Sequence, residues 1–391
     1  MALQPAAGTR DLNPREVVGN RWLSEQLGQV YRLWGYVEVS PPSVERLQTL
    51  EAGGRINDSD VLRLATDDPL GLRPEMTASI ARAACTRMAE LPRPLRLWSC
   101  GTVFRSVQSD TGQQRLEEQL QSGVELFGLA DGNHSVADAE LLRLLLACLQ
   151  TIGIGSEHRP KLLLGHHGVL SALLDQVPAA QRTAVRQALV SFDPLALAKL
   201  ELPGHQRQAL EQLMRLRGEP EAVLVQLGAL LGHSRQLDEL AECLKVVAPA
   251  AAEAQVELQL DPTFQPHFDL YDGLVLKLVC QGLDAPVEIA SGGRYDALVE
   301  RFGGDASGLG FSFDLEAIQS LLGTENTAPS RPELTLISFK DITQLPAAFS
   351  VQAERHQQGH SCLLLHQPCS TEAEARAQAD ARGCTGLIWL G

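Results

Sequence analysis

Two glutamates and one arginine carry the most legible chemistry in the chain. Glu75 in "LRPEMTASIARA" and Glu125 in "QSGVELFG" sit beside apolar stretches with strand character. An unpartnered carboxylate is costly to bury there, and a cationic ligand group would offset that cost. Arg105 closes the stretch "PLRLWSCGTVFRS" and could fork onto a ligand carboxylate. The same three side chains could instead satisfy one another as a buried ion network with no ligand at all. The residues alone leave both readings open.

Other reactive side chains point to less. The adjacent His166 and His167 have no second cluster of ligands nearby in sequence, so a metal site is not expected. The eight cysteines form no CxxC pair, and most lie in apolar surroundings such as "LLLACLQ", as buried reduced thiols do. No apolar run reaches the length of a membrane-spanning helix, and the opening "MALQPAAGTRDLNPRE" lacks the charged start and apolar core of a secretory signal. A cytoplasmic protein without a membrane partner is the expectation. The net charge of −15 comes from 48 acidic against 33 basic residues, with no dense Lys/Arg run. That balance opposes nucleic-acid binding, which draws on phosphate neutralisation.

The elements that must position these residues follow from periodicity. "PREVVGNRWLSEQLGQVYRLWG" has helical spacing and ends at Gly35; "YVEVSPP" reads as a short strand stopped by two prolines. "EMTASIARAACTRMAEL" is predicted helical. "PLRLWSCGTVFRS" and "QLQSGVELFGLA" are predicted strands around a polar connection, "VQSDTGQQRLEE". "SVADAELLRLLLACLQTIG" is an amphipathic helix with Ser135 as its expected N-cap. Residues 168–255 are continuously helical in pattern, and strand signals return in "VELQLDP", "DGLVLKLVC", "PVEIASGGRYDALV" and "GLGFSF". The expected fold class is α+β. A core over residues 1–325 holds an antiparallel sheet interrupted by a helical insertion at about 168–255. The stretch "LGTENTAPSRPE" reads as a linker to a small α/β domain at 331–391, with three apolar strands alternating with helices.

Several stretches now fit one family. "AAGTRDLNP", "GYVEVSPP", "LRPEMTASIARA", "FRSVQSDTGQQRLEEQLQSGVELFG", "ASGGRYDALVERFGG" and "GLGFSFDLEAI" occur in this order. Together they resemble the catalytic core of class II histidyl-tRNA synthetases over roughly residues 5–325. The resemblance implies a six- or seven-stranded antiparallel sheet with amino acid and ATP side by side, and a dimer formed through the core.

Carried across residue by residue, the resemblance separates two halves of a site. Glu75 and Thr77 match residues that hold the ligand's α-amino group, and Gln121 and Glu125 match residues that line the pocket. Arg105 matches the arginine between carboxylate and α-phosphate. Tyr271 aligns with one of two tyrosines that contact the imidazole, Leu270 standing at the other. Gly292 and Gly293, with Arg294 and Tyr295, match the strand that floors the site, where glycine lets a ligand approach the backbone. The nucleotide half departs from the pattern. Val107 stands where the family has a glutamate for the adenine ring, and Pro266 and Ala317 stand where it has arginines. One such cation is worth about 10³–10⁵ in rate in phosphoryl chemistry. Arg115 falls on no family position.

A kept amino-acid pocket beside a lost nucleotide site resembles the ATP phosphoribosyltransferase regulatory subunits, the synthetase-like paralogues of histidine biosynthesis. The resemblance implies no catalysis and no cofactor. It implies assembly with the short-form catalytic subunit in a hetero-octamer, histidine as a feedback effector, and no tRNA. The chain has no apolar strand ending in paired acids and a Thr/Gly phosphate loop, so the resemblance puts the transferase site on the partner. The alternatives are an active histidyl-tRNA synthetase or another synthetase-like amino-acid ligase.

Overall fold

A computed structural model describes residues 4–53, 61–108, 114–128, 134–232, 234–265, 270–323 and 333–391. Its strands in chain order are β1 (Val37–Glu38), β2 (Val44–Arg46), β3 (Leu70–Leu72), β4 (Leu95–Gln108), β5 (Gln114–Phe127), β6 (Lys161–His166), β7 (Glu257–Leu260), β8 (Leu274–Gln281), β9 (Pro286–Arg294), β10 (Gly308–Asp314), β11 (Leu334–Phe339), β12 (Ser361–Leu364) and β13 (Gly386–Leu390). The helices flanking the main sheet are α1 (Pro14–Leu33), α2 (Leu47–Ala52), α3 (Thr77–Cys85) and α4 (His134–Ile152). Then come α5 (His167–Asp175), α6 (Arg182–Val190), α7 (Pro194–Ala198), α8 (Gly204–Arg215), α9 (Pro220–Leu231) and α10 (Arg235–Glu253), which form the helical block. They are followed by α11 (Asp296–Arg301), α12 (Leu315–Leu322), α13 (Leu345–Gln357) and α14 (Glu372–Ala381).

The chain divides into two compact units, Met1–Thr327 and Ala328–Gly391. The first is built on an eight-stranded sheet in the order β1-β4-β5-β10-β9-β8-β6-β7. Its six inner strands are antiparallel neighbours, while β1 with β4 and β6 with β7 pair in parallel. The expected antiparallel sheet is present as these six inner strands, and one further strand extends it at each edge in parallel pairing. β6, the run "KLLLGH", is short and apolar and abuts the helical block directly, so periodicity does not separate it. The hairpin β4–β5 also runs further than expected. Most of the polar connection is strand, and Arg115 sits opposite Val107. Those outer rungs lie beyond the apolar core, so their polar residues carry no alternation to read.

Side-chain alternation gives the sheet two different faces. Val124, Leu126, Leu309, Phe311 and Phe313 pack against Leu23 and Leu27 of α1, the leucines of α4, and Leu315 and Ile318 of α12. Leu97, Val103 and Phe127 face the other way, onto Met76, Ile80 and Tyr295. The functional side chains lie on this second face. Its helices are short: α3 ends at Cys85, well before the helix expected through Leu91.

Local chemistry sets the ends of α1. Asn13 accepts the Arg15 and Glu16 N–H groups, and the Glu16 carboxylate takes the Asn13 N–H at 2.7 Å, a reciprocal cap. Gly35 follows the helix at φ +80°, where glycine escapes the side-chain penalty. Ser135 does not cap α4. It lies inside the helix, and its Oγ donates to Glu242 of α10 at 3.3 Å. α10 packs along α4, which ties the helical block to the sheet.

The second unit is a three-stranded parallel sheet, β12-β11-β13. Ile337 and Phe339 meet Ala348 of α13 on one face, and Leu336 meets Ala375 and Ala379 of α14 on the other. The linker stretch lies almost wholly outside the described residues. All eight cysteines are free; Cys85, Cys100 and Cys384 are only half-buried. No helix among the described residues is long and apolar enough to cross a membrane.

Leu145 of α4 is fully buried in the larger core, and Leu283 at the β8–β9 turn is fully exposed. Leu145→Ala should cost the first unit about 2–5 kcal/mol, and Leu283→Ala less than about 0.5 kcal/mol. Urea unfolding of both variants followed by circular dichroism checks the contrast.

Candidate functional site

One row of paired residues crosses the sheet beneath the site: Leu97, Glu125, Gly310, Gly293 and Val275, from β4 to β8. Glycine at two adjoining rungs clears the floor. A Cβ on Gly310 would lie 1.9 Å from Glu125 Oε2, and one on Gly293 would lie 2.8 Å from the Tyr271 ring. The Glu125 side chain therefore lies over Gly310, and Tyr271 over Gly293. Gly292 is turned to the opposite face, where a Cβ would meet Gly310 O at 2.2 Å and Phe311 Cα at 2.6 Å. Its side of the strand packs on the core and does not face the pocket.

Glu75 precedes α3 and accepts the Ala78 N–H with both oxygens, at 3.1 and 3.2 Å. It thus occupies the open N-terminus of the helix, where backbone donors are unpaired. Thr77 bonds through its hydroxyl to both Glu75 and Glu125. Glu125 is also held by the Tyr295 hydroxyl, which donates to Oε2. Burial pushes Glu125 up to about 8, outweighing the Tyr295 and Thr77 hydrogen bonds, and the Glu75 charge adds to the rise. Burial likewise raises Glu75, against the Ala78 and Thr77 bonds and the Arg105 charge. The Tyr271 phenol is raised by burial and by both carboxylates.

Arg105 projects from β4 on the same face, and its Nε donates to Pro74 O at 3.0 Å. Among the described residues no ion pair joins it to Glu75 or Glu125. The closed ion network is thus not what forms. The carboxylates are held by hydroxyl and amide donors instead, a pocket of acceptors suited to an ammonium or imidazolium group.

Arg105 also lines an adjoining cleft of about 220 Å³ with Gln119, Gln121, Glu288, Ser291, Ser312 and Asp314. Glu288 pairs with Lys277 at 2.8 Å. Asp314 caps α12 by accepting the Glu316 and Ala317 N–H groups at 3.0 and 2.9 Å. The helix terminus that could have met an anion is thereby occupied by a carboxylate. Ala317 packs against the core, and Val107 shares the face of Arg105 on β4. Pro266 lies outside the described residues.

The structure brings Glu75, Thr77, Glu125 and Tyr271 together, with Arg105 and Gln121 at the cleft end and Gly293 beneath. Tyr295 and Gly310 complete the pocket, though neither stood among the candidate ligand contacts. Tyr295 follows a glycine-rich strand as an ordinary core aromatic would, and Gly310 carries no functional group. Arg294, expected at the floor, faces the reverse side. His166 caps α5, accepting the Val169 N–H at Nδ1 (3.3 Å), and burial, with the Arg294 charge, pushes it down to about 4. No group of three His, Cys, Asp or Glu side chains suited to a metal occurs among the described residues.

A carboxyl whose value rises from 4.5 to about 8 on folding binds its proton more tightly in the folded chain. Its contribution to stability is complete below pH 4.5 and is lost as the pH rises through about 8. The first unit should melt at falling temperature across that interval, and Glu125→Gln should flatten the fall. Calorimetric melts of both proteins over the pH range test this.

The sequence and the fold are shared with known proteins. The family model described as histidyl-tRNA synthetase matches residues 8–318. An ATP phosphoribosyltransferase regulatory subunit of Synechococcus sp. (strain RCC307) is 51% identical, with 100% of both chains covered. One of Prochlorococcus marinus (strain MIT 9303) is 49% identical over the same coverage. Among solved structures, an ATP phosphoribosyltransferase regulatory subunit/histidyl-tRNA synthetase from Bacillus halodurans superposes with TM-score 0.82 at 25% identity, covering 100% of this chain and 98% of the other. A histidyl-tRNA synthetase from Nostoc sp. PCC 7120 gives 0.76 at 19% identity over 98% and 90% of the two chains.

Proposed function

The chain belongs to the ATP phosphoribosyltransferase regulatory subunits, which share the histidyl-tRNA synthetase fold, and from that premise we propose that its pocket binds free histidine as a feedback effector. It is a regulatory subunit of ATP phosphoribosyltransferase, in histidine biosynthesis, with a non-catalytic role. The finer picture is our reading. The chain assembles in the cytoplasm with a short-form catalytic subunit, in a hetero-octamer built on homodimers of the synthetase-like core. It is needed for that partner's activity, and it binds no tRNA.

One observation carries the reading: the half-buried Glu75 and the buried Glu125 share a pocket on a glycine floor, while the described residues of the adjoining cleft offer a triphosphate two carboxylates and one guanidinium. Glu75, Thr77 and Gln121 hold the ammonium group and Arg105 the carboxylate. Glu125 and Tyr271 meet the imidazole, with Gly292 and Gly293 in the supporting strand. A ligand cation placed against Glu125 favours its ionised form. Below about pH 6.5, where free imidazole is already charged, binding expels the Glu125 proton and affinity rises with pH; from there to about 8 the proton passes from Glu125 to the imidazole and affinity levels off. Histidine that binds one conformation of the subunit more tightly shifts the assembly toward it. A coupling of about 1–3 kcal/mol gives several-fold to more than a hundredfold inhibition.

Titration calorimetry at about pH 5.5, where free imidazole and Glu125 both carry protons, in buffers of different ionisation enthalpy should register histidine binding with proton release, and Glu125→Ala should abolish it. Histidine binding that survives Glu125→Ala removes the pocket from consideration. An active synthetase is the competing reading. It requires histidine-dependent exchange of pyrophosphate into ATP, which this chain should not support.

A further inference from the structure

The pocket's two tyrosines are tied to a buried ionic cluster on the reverse face of the sheet. Arg294 ends β9 and is 2% exposed. Its Nη2 meets Asp138 Oδ1 of α4 at 2.6 Å, and its Nη1 meets Asp296 Oδ1 at 3.3 Å. The arm of Arg294 lies over Gly273, where a Cβ would fall 2.6 Å from Arg294 Cδ. Its carbonyl accepts the Asp272 N–H at 2.9 Å. Asp272 in turn accepts the Asp296 and Ala297 N–H groups at 3.1 and 2.6 Å. Asp296 Oδ1 takes the Gly308 N–H at 2.8 Å, and Gly308 O takes the Tyr295 N–H at 2.8 Å.

Both pocket tyrosines are chain neighbours of this cluster. Tyr271 precedes Asp272 and Gly273, and Tyr295 stands between Arg294 and Asp296. On the pocket side the Tyr295 ring packs edge-on against Phe127, with centroids 6.4 Å apart, and the Tyr271 ring lies over Gly293, but neither contact fixes the backbone of the β9–α11 corner. The backbone must be held from behind. Two fixed carboxylates around one guanidinium supply that hold, and they tolerate little displacement, because a buried charge that loses its partner is costly. We infer that the Asp138–Arg294 ion pair is a positioning device for the ligand pocket: it fixes the β9–α11 corner so that the Tyr295 hydroxyl stays on Glu125 and Tyr271 stays over Gly293. Asp138 and Arg294 touch no ligand in this role; they act through the tyrosines. The effect on histidine rests on the function proposed above, whereas the effect on Glu125 does not.

Carbon-13 NMR titration of the Glu125 carboxyl, in the full chain without histidine, is the direct test. The groups facing Glu125 are Tyr295, Thr77, Glu75 and Tyr271. Of these, only the tyrosines depend on the cluster. Asp138→Asn keeps the shape of the side chain and removes its charge. It should move the Glu125 midpoint upward by about one pH unit, the effect of losing one hydrogen bond to a charged group. Tyr295→Phe should move it the same way, and the double variant should move it no further. Should Asp138→Asn not fold, Arg294→Lys, which keeps the charge and loses the fork, is read identically. A folded variant with the wild-type midpoint overturns the inference. In parallel, Asp138→Asn should weaken histidine binding about tenfold, equivalent to 1.4 kcal/mol. If wild-type protein binds no histidine, the proposed function falls while the carboxyl titration still decides this one.

Discussion

A buried carboxylate and a half-buried one share one space, and the architecture around them answers the electrostatic problem this creates. Glu75 lies at a helix N-terminus, Glu125 lies under a tyrosine hydroxyl, and one threonine hydroxyl serves both. Neither has a cation of its own among the described residues. Such a pair cannot both ionise comfortably in low dielectric, so a proton occupies the place that a ligand cation could take. Glycine at 310 and 293 follows from the same constraint. The carboxylate and the phenol lie flat on the sheet, and any side chain beneath would displace them.

The cleft beside this pocket is poor in positive charge. Catalysis of phosphoryl and adenylyl transfer depends on preorganised positive charge. Among the described residues that line the cleft beside the pocket, Arg105 is the one cation, against Asp314 and a Glu288 already paired with Lys277, and the start of α12 is closed by its own aspartate. Ala317 faces the hydrophobic core. The non-catalytic role of these subunits thus sits on the shared histidyl-tRNA synthetase fold.

Much of this was legible in the sequence because it rests on local rules. Apolar periodicity marked α1, α4 and the helical block, and the alternating strands of the small parallel sheet were plain. The α+β class followed from their order. What escaped notice has physical reasons. β6 is short, apolar and fused to a helix, so no period distinguishes it. The outer rungs of β4 and β5 carry mostly polar residues, because the core does not reach them. Ser135 has the composition of a cap but lies within α4, where its hydroxyl serves α10. In the pocket, charge and type pointed to Glu75, Glu125 and Arg105. Which face a strand residue takes depends on register. That is why Gly292 and Arg294 turn away from the pocket while Gly310 and Tyr295 turn into it.

The most direct test of the central claim, that an amino-acid pocket on this sheet governs a partner's catalysis, is inhibition of the reconstituted transferase by histidine. Gly310→Ala is the informative variant, because it alters no charge and fills the space under Glu125. The account expects assemblies with the wild-type chain to be inhibited by histidine, and those with Gly310→Ala to form and turn over while losing that inhibition. Equal inhibition of the two assemblies would contradict it.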